Sequence, residues 1–311
     1  MSDGKYVDGS YWFYAPNKGA AIFFCLAFCC TGCFHIWQCL LYKCWKLTPL
    51  FLFCSLLFTT GFALRNYRIL GRILYYVPHN SPIHPGRVLT TFGFISGIVE
   101  ALNGWGASYS ANQSLTDSEI EIGHALIKTS LLLQVVVAML FITLAATFHR
   151  RCVVAGTTNE QLNKPLWTLY ISMTLILART IYRIVEYFNV AELRYGPGFD
   201  PATISPVVRY EWFFYVFEAA LMLCNLIMFN VRHPRRYLPR NNKIYLSPDG
   251  VTEIEGPGYK DPRRLWQTLI DPFDIQGLVT GRGRETDKFW ETGLGRPTDS
   301  TNTAEVKTET V

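Results

Sequence analysis

Up to Val231 this chain of 311 residues carries little charge within its apolar stretches. Most acidic and basic side chains lie between those stretches or after the last of them. Several chemistries are missing as well. There is no glycine-rich phosphate loop, so ATP hydrolysis by this chain is not expected. Zinc-finger spacing and a basic helix are also absent, which argues against a nucleic-acid partner. The histidines His35, His84, His124, His149 and His233 never stand at HExxH spacing, and no serine or histidine has the setting of a nucleophile elbow. Neither a zinc hydrolase nor a serine hydrolase is therefore expected, and no repeat of solenoid period is found. A cleavable signal peptide is not expected either: residues 1–17 are polar and aromatic, and the first apolar run is too long for a signal core. The nine cysteines do not form a disulfide framework. Cys25, Cys29, Cys30, Cys33 and Cys39 lie within or at the end of the first apolar run, where cysteine acts as a small hydrophobe. Cys44 and Cys152 stand beside basic residues at membrane edges, which leaves reversible acylation open there. No catalytic residue, cofactor or bound metal is expected.

What is present is a series of apolar runs long enough to cross a hydrocarbon core of ~30 Å at ~1.5 Å per residue. The expected spans are residues 20–42, 48–65, 88–109, 124–148, 165–188 and 206–231. They define an all-α, polytopic transmembrane helix bundle of six spans over residues 19–231. A short segment, 1–18, precedes it, and a largely disordered cytoplasmic tail, 232–311, follows, with one short amphipathic piece near Leu265–Ile270. Tyr11, Trp12, Tyr14, Trp37 and Trp45 flank the first span as an interfacial aromatic belt would. Residues 79–87 contain two prolines, Pro82 and Pro85, directly after Pro78, and cannot be helical throughout. Gly93, Gly97, Gly104 and Gly106 would permit close helix contact in the third span. The net charge of +5 fits arginine-rich loops beside anionic lipid.

Two spans carry charge where a plain span should not. Arg179, Arg183 and Glu186 fall at i, i+4 and i+7, and Glu211, Tyr215 and Glu218 repeat that spacing. A charge near the bilayer centre costs roughly 2.5–3.5 kcal/mol on insertion scales, so these groups should face partners or a wet cavity. If Pro165 marks one membrane face, Arg179 lies ~21 Å in, while Glu211 lies about 7 Å and Glu218 about 18 Å down from the other face. Glu211 is then level with Arg179 and Arg183 and is the expected partner, and Glu218 has no obvious mate. Gln134, in the fourth span, suits an interhelical hydrogen bond. Two readings of the charged stripe stay open: an ion-paired clamp between helices, or a polar site for the head group of an amphiphile. A clamp can also line a cavity.

Loop charge sets orientation. The basic loop 149–164 and the tail 232–243 belong on the cytoplasmic side. Loops 110–123 and 191–205 then face out, which makes the sequon at Asn112 available for N-glycosylation. Working backwards, six spans force the N-terminus inside and Lys43 and Lys46 outside. One more crossing between Leu64 and Tyr67 would remove that conflict.

In its motifs the chain resembles the fungal lipid-translocating exporter family, the RTA-like proteins linked to aminocholesterol resistance and sphingoid-base export. The carriers are YWFYAPNKGAAIFF from residue 11, GFALR at 61–65, YRILGRILYYVPHNSPIHPGRVLTTFG at 67–93, SLLLQVVVAMLFITLAATFHRR, RTIYRIVEYF, and EWFFYVFEAALMLCNLIMFNVRHPRRYL. The resemblance implies seven spans, an external N-terminus and a cytoplasmic tail. It also implies a loop and a span between the matches to GFALR and YRILGRI, whereas here Arg65 abuts Asn66. The family's glutamate before the GY or GF pair of span two is replaced by Phe58. The implied function is translocation or export of lipid-like amphiphiles, sphingoid bases and sterol-like toxicants, conferring resistance at the plasma membrane. The implied partners are membrane lipids and amphiphilic small molecules. Arg179, Arg183 and Glu186 match the family's R-x3-R-x2-E pattern, Glu211 its glutamate near the start of the last span, and Glu218 a position often held by aspartate. With Gln134 and Tyr215 these would form the translocation route, and Glu186, Glu211 or Glu218 could take a cationic amine. The rivals are a receptor-like lipid sensor signalling through its tail, an intramembrane lipid hydrolase, and a product inactivated by the missing span.

Overall fold

The structure is a computed structural model and describes residues 16–41, 60–112, 114–157, 159–191, 205–239, 241, 243–256, 267, 271 and 296–297. The residues 1–15, the Lys43–Lys46 loop, most of the loop 191–205 and, apart from Gln267, the piece at Leu265–Ile270 lie outside the described residues. The apolar runs form helices: α1 Lys18–Leu41, α2 Thr60–Tyr76, α3 Pro85–Ala111, α4 Asp117–Val154, α5 Glu160–Ala191, a single turn α6 Pro206–Arg209, and α7 Glu211–Val231. Among the described residues α1, α4, α5 and α7 are long and apolar enough to cross a membrane. The 27 residues of α3 have the length to cross but are not among the four. Large apolar side chains point outward along them, including Ile22, Phe23, Leu26, Trp37, Leu132, Val136, Trp167 and Ile171. Such a surface is costly in water and suits acyl chains. The protein is an all-α integral membrane protein.

Local chemistry sets the helix ends. Pro85 opens α3, where its missing donor costs nothing. Glu119 supplies the carboxylate arm of a capping box at α4: the Thr116 amide and hydroxyl donate to it at 2.9 and 2.8 Å, while the Glu119 amide donates to the Thr116 main-chain carbonyl at 2.9 Å. The expected second span, 48–65, has residues 48–59 outside the described part, and 60–65 belong to α2. That helix does not stop at Arg65 but runs through Arg65 and Asn66 to Tyr76.

Contacts divide the chain into two units. The first comprises Met1–Asn66, Phe94–Ile142 and Thr168–His233. Within it α3 and α4 approach closely: a Cβ on Gly106 would lie 2.7 Å from the Gly123 carbonyl, and one on Gly123 would lie 2.8 Å from Tyr109. Gly97 and Gly104, grouped with Gly106 in the sequence reading, face open space instead. Gly106→Val is therefore expected to abolish recovery of monodisperse protein in detergent, whereas Gly97→Val leaves recovery near wild type by size-exclusion chromatography.

The second unit comprises Tyr67–Gly93, Thr143–Trp167 and Pro234–Val311. Its described part of the tail is folded. Strand β1 Ile244–Leu246 pairs antiparallel with β2 Glu253–Glu255, and β3 Arg296–Pro297 pairs on the other edge of β2. Tyr245 and Leu246 are buried, and the Tyr76 hydroxyl donates to Glu253 at 2.8 Å. The hairpin turn needs Gly250, at φ +74°, where a Cβ would also stand 3.1 Å from the Thr157 Cα. Asp249 holds the turn by accepting from the amides of Val251 and Thr252, both at 3.0 Å, and from the Thr252 hydroxyl. The Thr252 hydroxyl and these amides hold its carboxyl below the 3.8 of a free side chain. The turn thus gains stability above that value and loses it as pH falls through the lowered one. A carboxyl titration by NMR should show Asp249 protonating below 3.8 in the protein, and closer to 3.8 in Thr252→Val, which loses the hydroxyl but keeps both amides.

Candidate functional site

The charged stripe comes together between α5 and α7, within the first unit. Arg179 donates through Nη2 to Oε1 of Glu218 at 2.6 Å. Arg183 donates through Nη1 to Glu186 at 2.6 Å and lies 3.5 Å from the other oxygen of Glu218. The Tyr182 hydroxyl donates to Glu186 at 3.4 Å, and its ring stacks on Phe217 with centroids 5.6 Å apart. Two cations and two carboxylates make the cluster neutral, which is what a low-dielectric site requires. Arg179 and Glu218 are the better-shielded pair, with side chains 11% and 20% exposed against 42% for Arg183. Two atoms remain underused. Arg179 Nε and Glu218 Oε2 have no hydrogen bond among the described residues.

The backbone explains how Glu218 arrives there. Residues Tyr215–Ala220 are wound as a π-helical turn inside α7. Such turns are rare, are concentrated at functional sites, and re-aim the side chains they carry.

The pairing differs from the sequence reading. Glu211 does not meet Arg179 or Arg183; it is buried and accepts the main-chain N–H of Asn17 at 2.7 Å. The reason is a break at Tyr210, whose extended backbone (φ −106°, ψ 121°) separates the turn α6 from α7. The long helix therefore starts at Glu211 rather than Pro206. Glu211 occupies its first turn, where an acidic group is favourable, and Glu218 lies about 10 Å further along. Tyr215 stays with Glu211 and away from the arginines. Its ring stacks on Phe24 of α1 at 5.3 Å, and its hydroxyl reaches the Asn17 carbonyl at 3.4 Å. Gln134 is half-buried on α4 and forms no hydrogen bond to the cluster among the described residues.

A second buried network was not anticipated. His35 on α1 sits between Arg65 of α2 and Asn230 of α7. Arg65 Nη2 donates to His35 Nε2 at 2.6 Å, so Nδ1 carries the proton and donates to Asn230 Oδ1 at 2.6 Å. Asn230 Nδ2 donates to the Thr31 carbonyl at 3.0 Å, and Gln38 Nε2 donates to the Asn230 carbonyl at 2.8 Å. The Arg65 guanidinium also lies 4.6 Å from the centroid of Phe229. Polar residues isolated in otherwise apolar runs were the available signal. At another level His124 and the Tyr187 hydroxyl lie 2.6 Å apart, and Lys128 covers the Phe188 ring at 5.0 Å, which accommodates a lysine inside a span. Among the described residues no group of His, Cys, Asp or Glu is placed to hold a metal ion.

Fold and site together define a polytopic α-helical membrane protein with a neutral, ion-paired core between two of its spans. The family model described as RTA1 like protein matches residues 23–241, and the chain belongs to this family. It is similar to the lipid-translocating exporter-like protein RTA1 of Leptosphaeria maculans, with 40% identity over 292 residues, 81% of this chain and 56% of that protein. A protein of the same description from Ajellomyces capsulatus is 31% identical over 230 residues, 69% of this chain and 67% of that protein. Protoporphyrin uptake protein 1 of Saccharomyces cerevisiae is 33% identical over 172 residues, 53% of this chain and 51% of that protein. The chain thus spans 56% of the length of the first of these relatives. No solved structure matches.

Proposed function

We propose that this protein translocates lipid-like amphiphiles across the membrane, and that the cluster of Arg179, Arg183, Glu186 and Glu218 is the polar station a head group passes. The observation that carries this reading is the neutral four-charge cluster between membrane helices, with Glu218 Oε2 and Arg179 Nε lacking hydrogen bonds among the described residues. A clamp serving only to hold helices together has no use for spare hydrogen-bonding capacity on its charged groups, which is expensive to bury. An amine and hydroxyl head group would supply a donor to Glu218 and an acceptor to Arg179. Glu211, Tyr215 and Asn17 form the entry at the start of α7, and Gln134 has a secondary role on α4. The names of the relatives, which describe exporters rather than enzymes, point the same way. Residence in the plasma membrane, resistance to toxic amphiphiles and the absence of catalysis belong to the same proposal.

Liposomes containing the purified full chain test it. Net movement of a fluorescent sphingoid base between leaflets, above that of protein-free liposomes, is the expected result. Saturable binding without movement would favour a sensor and count against transport. The loop after α3 is placed outside the cell in this proposal. Asn112 is exposed there and accepts from the Ser114 amide and hydroxyl at 3.1 and 2.7 Å. Protein expressed in a fungal host should shift on glycosidase treatment, and Asn112→Gln should not.

A further inference from the structure

Beyond Glu218, α7 carries a polar residue that neither the charged cluster nor the His35 network uses. Asn225 is fully buried, and among the described residues both its carboxamide oxygen and its nitrogen lack a hydrogen-bond partner. It lies about 10 Å along the helix from Glu218 and about 7.5 Å before Asn230. Its neighbours in sequence, Met222 and Leu226, form a buried cluster with Phe62 of α2, against which Ile176 of α5 packs. One turn along α2 from Phe62 stands Asn66, also fully buried. Its nitrogen donates to Ser172 Oγ at 2.8 Å, but its oxygen lacks a donor among the described residues. An unpaired carboxamide in such surroundings costs about 1–3 kcal/mol. A leucine would avoid that cost, so the asparagines need another reason to be there.

We propose that Asn225, with Asn66, is a hydrogen-bonding station that selects amphiphiles by head group, favouring heads that both donate and accept hydrogen bonds, such as amino alcohols, over heads that carry charge alone. This rests on the exporter function proposed above and deepens it. The polar groups of α7 then succeed one another through the bilayer: Glu211, Glu218, Asn225 and Asn230, each buried or half-buried. A head group leaving the carboxylate of Glu218 meets at Asn225 a partner for a hydroxyl or an amine. A quaternary ammonium head gains nothing there. Sites built to hydrogen-bond a group reject analogues lacking it because their own polar atoms are then left unpaired.

The test compares two fluorescent probes of equal chain length, an amino diol and an alkyltrimethylammonium, in liposomes holding wild type, Asn225→Leu or Asn225→Ser. The leucine variant should move the amino diol at least tenfold more slowly and the quaternary probe within twofold of wild type, with a thermal midpoint no lower than wild type. Serine, which keeps a hydroxyl, should retain more amino-diol movement than leucine. Should leucine fail to fold, serine is judged by the same contrast between probes. Unchanged amino-diol movement, or equal slowing of both probes, would overturn the station while leaving the exporter function standing. If wild type moved neither probe, the exporter function itself would fall, and the station with it.

Discussion

Arg179→Ala is expected to destabilise the detergent-solubilised protein by about 3–5 kcal/mol, the cost of leaving a buried charge without its partner. Glu218 is the stranded group: its Oε1 lies 2.6 Å from Arg179, and its other oxygen keeps only Arg183 at 3.5 Å. Arg183→Ala should cost less, because Arg183 is more exposed and its closest partner, Glu186, retains the Tyr182 hydroxyl. The double change Arg179→Met with Glu218→Met removes both charges and should recover most of the lost stability, since apolar replacement of a buried pair is often neutral or better. A double-mutant cycle on thermal stability reads this directly. Additive losses from the two single changes would mean the side chains are not coupled.

The second large effect is expected at Asn230, far from the charged cluster. Asn230→Leu removes the acceptor for His35 Nδ1 and the donor to the Thr31 carbonyl in one step. The buried His35 Nδ1 is left without its acceptor, at about 1–3 kcal/mol, while the half-buried Thr31 carbonyl loses a second donor beyond its helical one. The His35 tautomer is then held from the Arg65 side alone, with its Nδ1 proton no longer received by Asn230. Fluorescence-detected size-exclusion after heating should show a midpoint lowered by several degrees. His35→Leu in the same background should cost less than it does alone, because the bond between His35 and Asn230 is already gone. A loss from the double variant equal to the sum of the two single losses would show that they act independently.

Much of this was legible in the sequence, for a physical reason. Apolar runs of membrane length have few alternatives to helix, so α1, α4, α5 and α7 follow from hydropathy alone. Arg179, Arg183, Glu186 and Glu218 were legible because a charge inside such a run demands a partner. Their pairing was not. Counting the depth of each charge from Pro165 and Pro206 assumes that each proline marks a helix start. In the structure α5 begins at Glu160, ahead of Pro165, and α7 begins after the break at Tyr210. That offset, with the wide turn at Tyr215–Ala220, moves Glu218 to the arginines and leaves Glu211 with Asn17. Neither a backbone break at a tyrosine nor a π turn has a compositional signature. The network of His35, Arg65 and Asn230 was hidden for another reason: its members are far apart in the chain, and only the packing of α1, α2 and α7 joins them. The folded hairpin in the tail leaves little trace in the sequence because strands β1 and β2 are three residues each and lie in a polar context.

One measurement bears most directly on the role of the cluster: movement of a fluorescent sphingoid base across liposomes holding Glu218→Gln, with wild type alongside. Glutamine keeps the shape and a hydrogen bond to Arg179 but removes the charge, and monodispersity of the variant confirms its fold. A fall in rate of at least tenfold with the fold intact is the predicted result. A Glu218→Gln protein that folds and moves the probe as fast as wild type would contradict a head-group route through the ion-paired core.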